Sequence, residues 1–325
     1  MSSTKGKILV LGAAGQIGTD LVLSLREKHG NENVIASDIK EPISEVLDNG
    51  PFELIDVLNE ERIDEIFLNY NISEVYHLAA LLSATAEKLM DKAWHINMQG
   101  LLNILNVVKE KNHIKLFWPS SIAVFGPDTP KKNTPQHTIT EPTTIYGITK
   151  LAGERLCEYY HDNHGVDVRS IRFPGLISYK APPGGGTTDY AVSIFHEALK
   201  QEYYKCYLRS ESTLPMMYMP DAIKSMVGIM SASPDQVKIR SSYNVSGMSF
   251  SPAEIALVIK KIIPGFTIEY QPDYRQKIAD SWPQSIDDNR ARADWGWLPD
   301  YSTDSMAAEM ITELSKTIKK EASTL

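Results

Sequence analysis

Two side chains capable of acid–base chemistry, Tyr146 and Lys150, stand four residues apart in the sequence. Apolar residues recur at helical intervals over residues 143–164, so this stretch predicts a helix that carries both side chains on one face. An ammonium group beside a phenol favours the phenolate, and Lys150 would therefore lower the pKa of Tyr146 towards the range used in general acid or base catalysis. The same pair also occurs by chance on amphipathic helices, so its meaning depends on the elements that position it.

A chain of 325 residues with a net charge of −8 exceeds one typical domain and is long enough to bury a large core. No cluster of lysines and arginines forms a basic stripe, which argues against nucleic acid or anionic membrane as partners and favours a small-molecule substrate. No apolar segment has the length of a signal-peptide core or a membrane span. The two cysteines, Cys157 and Cys206, lack metal-ligand spacing, so we predict no metal site, no disulfide and a reducing, cytoplasmic environment.

The first strand and the turn after it have the order of a phosphate-binding site. An apolar run at residues 7–11 leads into a glycine-rich turn, and a helical pattern begins directly after it. The turn residues expected to contact a dinucleotide are Gly12, Gly15, Gln16, Ile17 and Gly18. Glycines let backbone N–H groups approach a pyrophosphate at the positive end of a helix. The G-x-x-G-x-x-G spacing is a variant of the usual fingerprint, and glycines that merely permit a strand-to-helix turn are the alternative.

Acidic residues follow the second and third predicted strands. Asp38 lies about twenty residues beyond the glycine turn, where a carboxylate accepts hydrogen bonds from an adenosine ribose. This position favours NAD, because Asp38 would repel a 2′-phosphate, although Lys40 leaves residual NADP use open. Asp56 and Val57 are expected near the adenine amino group, and Asp56 could equally cap the helix that begins near Asn59.

The fourth strand is predicted in the run 74–80, which ends in the small residues expected where a backbone passes under a cofactor. Leu78, Ala79 and Ala80 are counted with the cofactor site. Within this run, His77 is predicted to be a core histidine. The fifth strand, residues 113–119, delivers Ser120 and Ser121 at its carboxyl end, where ligands bind in open α/β sheets. Ordinary turn chemistry is the alternative for the two serines.

Strand and helix patterns alternate from residue 7 to residue 172, which predicts an α/β fold with a Rossmann-type, doubly wound parallel sheet. The alternation stops after Arg172. A glycine- and proline-rich stretch at residues 181–189 is too long for a simple connection and suggests a lid or binding loop. Later, Ser251, Pro252 and Glu254 have the spacing of a helix start with a capping box, and residues 303–320 predict the last helix.

The glycine turn, Asp38, residues 77–80, the serine pair and the Tyr146/Lys150 pair occur in the order found in one family. In this combination the chain resembles the extended short-chain dehydrogenase/reductases, whose members include the UDP-galactose 4-epimerases. The resemblance implies an NAD-binding Rossmann domain in residues 1–172, with a returning segment around residues 212–247. It also implies a smaller C-terminal α/β substrate domain, in which residues 173–211 and 248–325 form the substrate-binding lobe and lid.

The resemblance also implies roles for individual residues. Tyr146 would be the general base or acid, and Lys150 would lower its pKa and hold the nicotinamide ribose, helped by the positive charge of oxidised nicotinamide. Ser121 would position the reacting oxygen, with Ser120 as a possible substitute and as part of the cofactor site. Asn97, counted with the cofactor site, would support the active-site helix. Phe173 and Pro174 would lie against the nicotinamide amide.

Further strings are similar to those of the short-chain type of L-threonine 3-dehydrogenase; they occupy residues 172–179, 184–191, 217–222 and 278–283. The similarity implies NAD-dependent oxidation of the L-threonine β-hydroxyl to 2-amino-3-ketobutyrate. Glycines 184–186 could form a backbone nest for the substrate carboxylate, which includes Gly186 in the site. Thr187 could complete it, Asp189 or Ser83 would lie near the ammonium, and Trp282 would wall the methyl side. A hydrogen bond within the loop is the alternative for Asp189, and simple packing is the alternative for Trp282.

By the same resemblance, the helices at residues 94–111 and 143–164 would form a homodimer interface, and the unstable product would pass to a CoA-dependent 2-amino-3-ketobutyrate ligase. Two other functions remain open. A nucleotide-sugar 4-epimerase or dehydratase would use the same catalytic residues with retained NAD, but would need a wider pocket. A non-catalytic dinucleotide sensor on this fold would not need the Tyr, Lys and Ser together.

Overall fold

Short buried apolar runs form the strands of the computed structural model, which describes residues 6–111, 113–180 and 186–322. The strands are β1 (Lys7–Leu11), β2 (Val34–Asp38), β3 (Phe52–Leu54), β4 (Ile72–His77), β5 (Lys115–Ser121), β6 (Asp167–Phe173), β7 (Gly175–Ile177), β8 (Tyr203–Cys206), β9 (Leu214–Tyr218), β10 (Tyr243–Asn244), β11 (Met248–Phe250) and β12 (Thr267–Tyr270). The helices are α1 (Gln16–His29), α2 (Ser44–Leu47), α3 (Glu60–Asn69), α4 (Ser83–Lys88), α5 (Met90–Trp94), α6 (Gly100–Lys111), α7 (Ile145–His164), α8 (Tyr190–Gln201), α9 (Met219–Ser231), α10 (Pro252–Ile262), α11 (Arg275–Ser281), α12 (Asn289–Trp295) and α13 (Thr303–Ala322).

Within the described residues, a seven-stranded sheet has the order β10-β6-β5-β4-β1-β2-β3. Every neighbouring pair in it is parallel. The predicted doubly wound parallel sheet is therefore confirmed. The chain leaves β1 for β2 on one side and reaches β4 on the other, so the strand order reverses at β1. At such a reversal the connections diverge and leave a crevice beyond the carboxyl ends of the strands, which is where ligands bind.

Helices cover both faces of this sheet because each presents an apolar stripe to it. One face packs against α1 and α9, through side chains that include Leu21, Leu25 and Met226. The other face packs against α3, α6 and α7, through side chains that include Leu105 and Cys157. The helix that carries Tyr146 and Lys150 is thus held against the sheet along its buried side.

The rest of the chain forms a second core around α8, α10 and α13, with a three-stranded sheet of order β11-β9-β7 and a pair β12-β8. The predicted capping box is confirmed: the Ser251 hydroxyl accepts a hydrogen bond from the Glu254 N–H, and the Glu254 carboxylate accepts one from the Ser251 N–H. Strand β10 belongs to the main sheet although it lies far along the chain. The division into domains proposed from the sequence stays a prediction. None of the described helices is long and apolar enough to cross a membrane.

The helix predicted at residues 94–111 is interrupted. α5 ends at Trp94, residues His95–Gln99 form a π-helical turn, and α6 begins at Gly100. The turn contains Asn97, whose side chain is hydrogen-bonded to the backbone of Leu81 in both directions. Single π-helical turns of this kind are found frequently at functional sites, and the periodicity of apolar residues does not reveal them.

Candidate active site

A cavity of about 690 Å³ lies beyond the carboxyl ends of the central strands. Its walls contain all but one of the site residues predicted from the sequence: Gly12, Gly15, Gln16, Ile17, Gly18, Asp38, Asp56, Val57, Leu78, Ala79, Ala80, Ser83, Ser120, Ser121, Tyr146, Lys150, Phe173, Pro174, Gly186, Thr187, Asp189 and Trp282. The exception is Asn97. Residues from nearly the whole length of the chain therefore converge on one space.

Tyr146 reaches Ser121 because the first turn of α7 is pressed against the turn that follows β5. Thr144 caps the helix by accepting a hydrogen bond from the Gly147 N–H at 3.1 Å. A Cβ atom on Gly147 would lie 2.2 Å from the Ala123 carbonyl oxygen, so only glycine allows this approach. The Ser121 side chain is hydrogen-bonded to the Ala123 N–H at 3.2 Å, which orients it within the same turn.

Burial decides the protonation of the two central groups. Burial raises the pKa of Tyr146 to about 12, and a hydrogen bond with Ser121 lowers it only partly. Burial also lowers the pKa of Lys150 to about 7, against the opposing effects of Cys157 and Glu154. The expectation that Lys150 would bring the Tyr146 pKa towards neutrality is therefore not met by the chain's own residues, because desolvation penalises both charged forms. That prediction also included the positive charge of an oxidised nicotinamide, which would lower the pKa of Tyr146 when NAD is bound.

Lys150 is fixed by three contacts. Its ammonium donates a hydrogen bond to the Pro119 carbonyl at 2.6 Å and lies 4.5 Å from the centroid of the Trp118 ring. It also lies 5.6 Å from the centroid of the Tyr146 ring, so the helical spacing does place the two side chains together. His77 is 1% exposed, in agreement with its predicted place in the core, and burial together with Lys150 lowers its pKa to about 3.

The Ser120 hydroxyl is already engaged within the protein, because it donates a 2.6 Å hydrogen bond to Glu154 on α7. Glu154 in turn forms a buried ion pair with Arg172, at 2.8 and 2.7 Å. Arg172 also donates to the Gln136 carbonyl and to the Asn244 side chain. Its hydroxyl thus joins the strand that carries Ser121 to the helix that carries Tyr146, and the suggestion that Ser120 could substitute for Ser121 stays a prediction.

Asn97 lies behind the cavity wall. Its amide bonds the Leu81 backbone and donates a 3.2 Å hydrogen bond to Thr149 on α7. Thr149 lies between Tyr146 and Lys150 in the sequence and donates to the Tyr146 carbonyl. Asn97 therefore ties the loop after β4 to the active-site helix, the supporting position implied by the family resemblance.

The other end of the cavity has the features that a dinucleotide requires. Gly12 has φ +90°, and a Cβ atom there would lie 2.8 Å from the Ala79 N–H nitrogen. The chain can make this turn only with glycine, and no side chain caps the start of α1 at Gly15, so the helix presents its N-terminal end to the cavity. The Asp38 carboxylate accepts hydrogen bonds from the Ala14 and Ile39 N–H groups at the end of β2. These residues fit the phosphates and ribose of NAD.

Asp56 accepts a hydrogen bond from the Leu58 N–H, whereas Asn59 caps α3 by accepting from the Arg62 N–H. Asp56 is therefore not the cap of α3, because Asn59 has that role. Asp56 and Val57 lie in the wall of the cavity, where the role toward adenine stays a prediction.

The residues assigned to the substrate line the same cavity as Tyr146. Residues 186–189, the substrate turn, are closed by a 2.8 Å hydrogen bond from the Gly186 N–H to the Asp189 carboxylate, the loop-internal bond weighed as an alternative. Thr187 is buried, and Trp282 follows α11 with 7% of its surface exposed. Gly184 and Gly185 of the proposed anion nest lie outside the described residues.

Several further residues line the cavity without having been predicted. Thr85, Lys92 and His95 come from the segment around α4 and α5, and Thr188 comes from the substrate turn. Lys92 and His95 are three residues apart on one helical face, a spacing that could have suggested them. Within the described part of the chain, no group of three or more His, Cys, Asp or Glu side chains is arranged to hold a metal ion.

Comparison with known proteins agrees with this geometry. A model of the NAD dependent epimerase/dehydratase family matches residues 8–246. An uncharacterized epimerase/dehydratase of Staphylococcus haemolyticus is 48% identical over 312 residues, covering 95% of this chain and 98% of that protein. Two solved structures are similar over nearly their whole length. The holo form of a GalE-like L-threonine dehydrogenase from Cupriavidus necator is 52% identical, with a TM-score of 0.92 and coverage of 95% and 99%. An L-threonine dehydrogenase from Clostridium difficile is 49% identical, with a TM-score of 0.94 and coverage of 96% and 98%.

Proposed function

This chain belongs to the NAD-dependent epimerase/dehydratase family, and we propose that within it the protein oxidises the β-hydroxyl of L-threonine to give 2-amino-3-ketobutyrate. The observation that carries the proposal is the placement of Tyr146 and Ser121 in one cavity with the substrate turn and Trp282. The similarity to L-threonine dehydrogenases of known structure supports the same substrate. A small polar amino acid suits a pocket end formed by a short turn and one indole ring.

The proposed chemistry is an alcohol oxidation without a metal. NAD, when bound, supplies the acceptor for the hydride that leaves the substrate carbon. Tyr146, as phenolate, takes the proton of the β-hydroxyl, and Ser121 hydrogen-bonds the same oxygen. Lys150, held by the Pro119 carbonyl, lies beside the phenol ring. In its protonated form it would place a positive charge there, and it would hold the nicotinamide ribose. The pKa of Tyr146 must fall from about 12 for this step, so the positive charges around it are part of the mechanism.

The substrate itself would be oriented by groups at the same end of the cavity. The Thr187 hydroxyl would receive the carboxylate, because the Gly186 N–H already donates to Asp189. Asp189 or Ser83 would lie near the ammonium, and Trp282 would face the methyl group. One Asp189 oxygen already accepts a hydrogen bond from the Gly186 N–H. If Asp189 binds the substrate ammonium, its carboxylate would do so while it also holds the substrate turn together.

The first test is NADH formation, followed by absorbance, when the protein receives NAD with L-threonine, L-serine or UDP-galactose. We expect NADH with L-threonine and much less with L-serine. Conversion of the sugar nucleotide without net NADH would instead support a nucleotide-sugar 4-epimerase or dehydratase.

The second test separates an enzyme from a dinucleotide sensor. Tyr146→Phe removes the proton acceptor and should reduce kcat by about 10²–10⁴-fold while NAD still binds. Tyr159→Phe is a matched control, because Tyr159 lies on the same helix with 53% of its surface exposed. Undiminished turnover in Tyr146→Phe would contradict the role given to this residue.

We further propose a homodimer in a reducing cytoplasm, with the product passed to a CoA-dependent ligase. The dimer is supported by large apolar side chains on α5 and α7 that are exposed in the single chain: Trp94 at 48%, Ile148 at 42% and Met90 at 57%. Sedimentation of the wild type and of Trp94→Glu would test it. A wild type that sediments as a monomer would contradict the proposal.

A further inference from the structure

The substrate turn is fastened to the C-terminal lobe by a tyrosine that does not line the cavity. Tyr207 follows β8, and its hydroxyl donates a 3.0 Å hydrogen bond to the Gly186 carbonyl oxygen. The same carbonyl oxygen accepts the Asp189 N–H at 3.3 Å, while the Gly186 N–H donates to the Asp189 carboxylate. Tyr207 is therefore hydrogen-bonded to the Gly186 carbonyl oxygen, the atom that also accepts the backbone hydrogen bond of the turn.

The ring of Tyr207 is held in turn from α11. The guanidinium carbon of Arg275 lies 3.1 Å from the centroid of the Tyr207 ring. Arg275 is itself fixed by a bidentate pair with Asp273: its Nε donates to Oδ1 at 3.1 Å and its Nη2 donates to Oδ2 at 2.6 Å. The Asp273 N–H donates to the Tyr207 carbonyl at 3.2 Å, so backbone and side chain of Tyr207 are held by the same short segment.

Both ends of α11 are therefore connected to the substrate end of the cavity, one through Tyr207 and one directly. Arg275 at its start supports the tyrosine that holds the substrate turn, and Trp282 directly after its end lines the cavity. Burial raises the pKa of Tyr207, so its hydroxyl stays protonated and remains a donor over the working pH range. A shift of α11 would move the turn and the indole wall together.

We propose that Tyr207, supported by Arg275, is a positioning residue that sets the substrate turn in the geometry needed to hold the amino acid substrate. The inference rests on the proposed oxidation of an amino acid, and it adds a residue outside the cavity to its specificity. Tyr207 touches neither the reacting atoms nor the dinucleotide end. Its loss should therefore affect the KM for the amino acid more than kcat or the dissociation constant of NAD.

The test compares Tyr207→Phe with Tyr203→Phe. Tyr203, on β8, donates a hydrogen bond from its hydroxyl to the exposed Glu269 carboxylate. Tyr203→Phe therefore removes the same chemical group at a position away from the substrate turn. Tyr207→Phe should raise the KM for L-threonine about fivefold, the fold-change of one hydrogen bond of ordinary net strength, with NAD binding unchanged. Arg275→Lys should raise it as well, because lysine cannot stack on the ring and pair with Asp273 in the same geometry.

Amide hydrogen exchange gives a readout that needs no substrate. In Tyr207→Phe, exchange at the Asp189 N–H should become faster, and Tyr203→Phe should leave it unchanged. An unchanged KM and unchanged exchange in Tyr207→Phe would overturn the inference. Equal effects of the two tyrosine variants, or a parallel loss of NAD binding, would also overturn it, since either would indicate general destabilisation. A wild type that makes no NADH from L-threonine would refute the proposed function alone, and the exchange result would still decide the role of Tyr207 in the turn.

Discussion

The buried ion pair between Glu154 and Arg172 offers a sharp prediction, because it joins the helix of Tyr146 to the strands behind Ser121. The Glu154 side chain is 0% exposed and that of Arg172 is 5% exposed. Glu154→Gln keeps the size of the side chain but removes its charge. An amide N–H would then face the guanidinium N–H groups, and the arginine charge would remain buried without a counter-charge.

Removing one partner of a buried pair costs about 3–5 kcal/mol of unfolding free energy. We expect a loss of this size in Glu154→Gln, measured by urea unfolding and followed both by tryptophan fluorescence and by circular dichroism. Below the unfolding transition, kcat should also fall, because Ser120 loses its carboxylate partner and the join between β5 and α7 loosens. Glu65→Gln is the control: its pair with Arg62 is at 2.9 Å but 60% and 32% exposed, and its loss should be close to undetectable.

A double-mutant cycle with Arg172→Met identifies the pair itself as the cause. The double variant should cost less than the sum of the two single variants, because it contains no buried charge without a partner. A loss below about 1 kcal/mol in Glu154→Gln would refute the reasoning, because a pair buried to this extent cannot be removed so cheaply. Strict additivity in the cycle would also refute it.

Three further predictions test the site at other points. Gly147→Ala should lower kcat strongly and stability measurably, because its Cβ would lie 2.2 Å from the Ala123 oxygen. Gly228→Ala on α9 is the control and should change kcat little, because its Cβ would lie at an ordinary 3.5 Å from the Trp295 ring. Asp38→Asn should reduce the preference for NAD over NADP in binding titrations, because a carboxylate that repels a 2′-phosphate is lost; an unchanged ratio of dissociation constants would contradict this. Burial lowers the pKa of His77 from 6.5 to about 3, so between these values the unfolded chain binds a proton that the folded chain does not, and stability rises with pH across this window. His77→Gln should flatten that rise in unfolding measurements from pH 3 to 6.5, and a slope equal to that of the wild type would show that His77 is not its cause.

Local sequence patterns were sufficient for the features that depend on neighbours along the chain. The alternation of strands and helices predicted the parallel sheet, and the four-residue interval predicted that Tyr146 and Lys150 share a helix face. Ser251 and Glu254 predicted a capping box that the structure contains. Most of the predicted site residues lie in one cavity because the carboxyl ends of parallel strands meet at one edge of a sheet, a rule that needs only the order of the elements.

Tertiary structure alone decided the protonation of those residues and their hydrogen-bond partners. Whether Tyr146 and Lys150 are charged depends on burial by the whole fold, and burial shifted both pKa values towards the neutral forms. Ser120 and Ser121 are adjacent and chemically identical, yet only the Ser120 hydroxyl donates a hydrogen bond to Glu154, 34 residues away in the sequence. The hold of Tyr207 on Gly186 likewise joins residues 21 apart that share no helix or strand. Such contacts depend on distances set when separate elements pack, and no periodicity within one element encodes them.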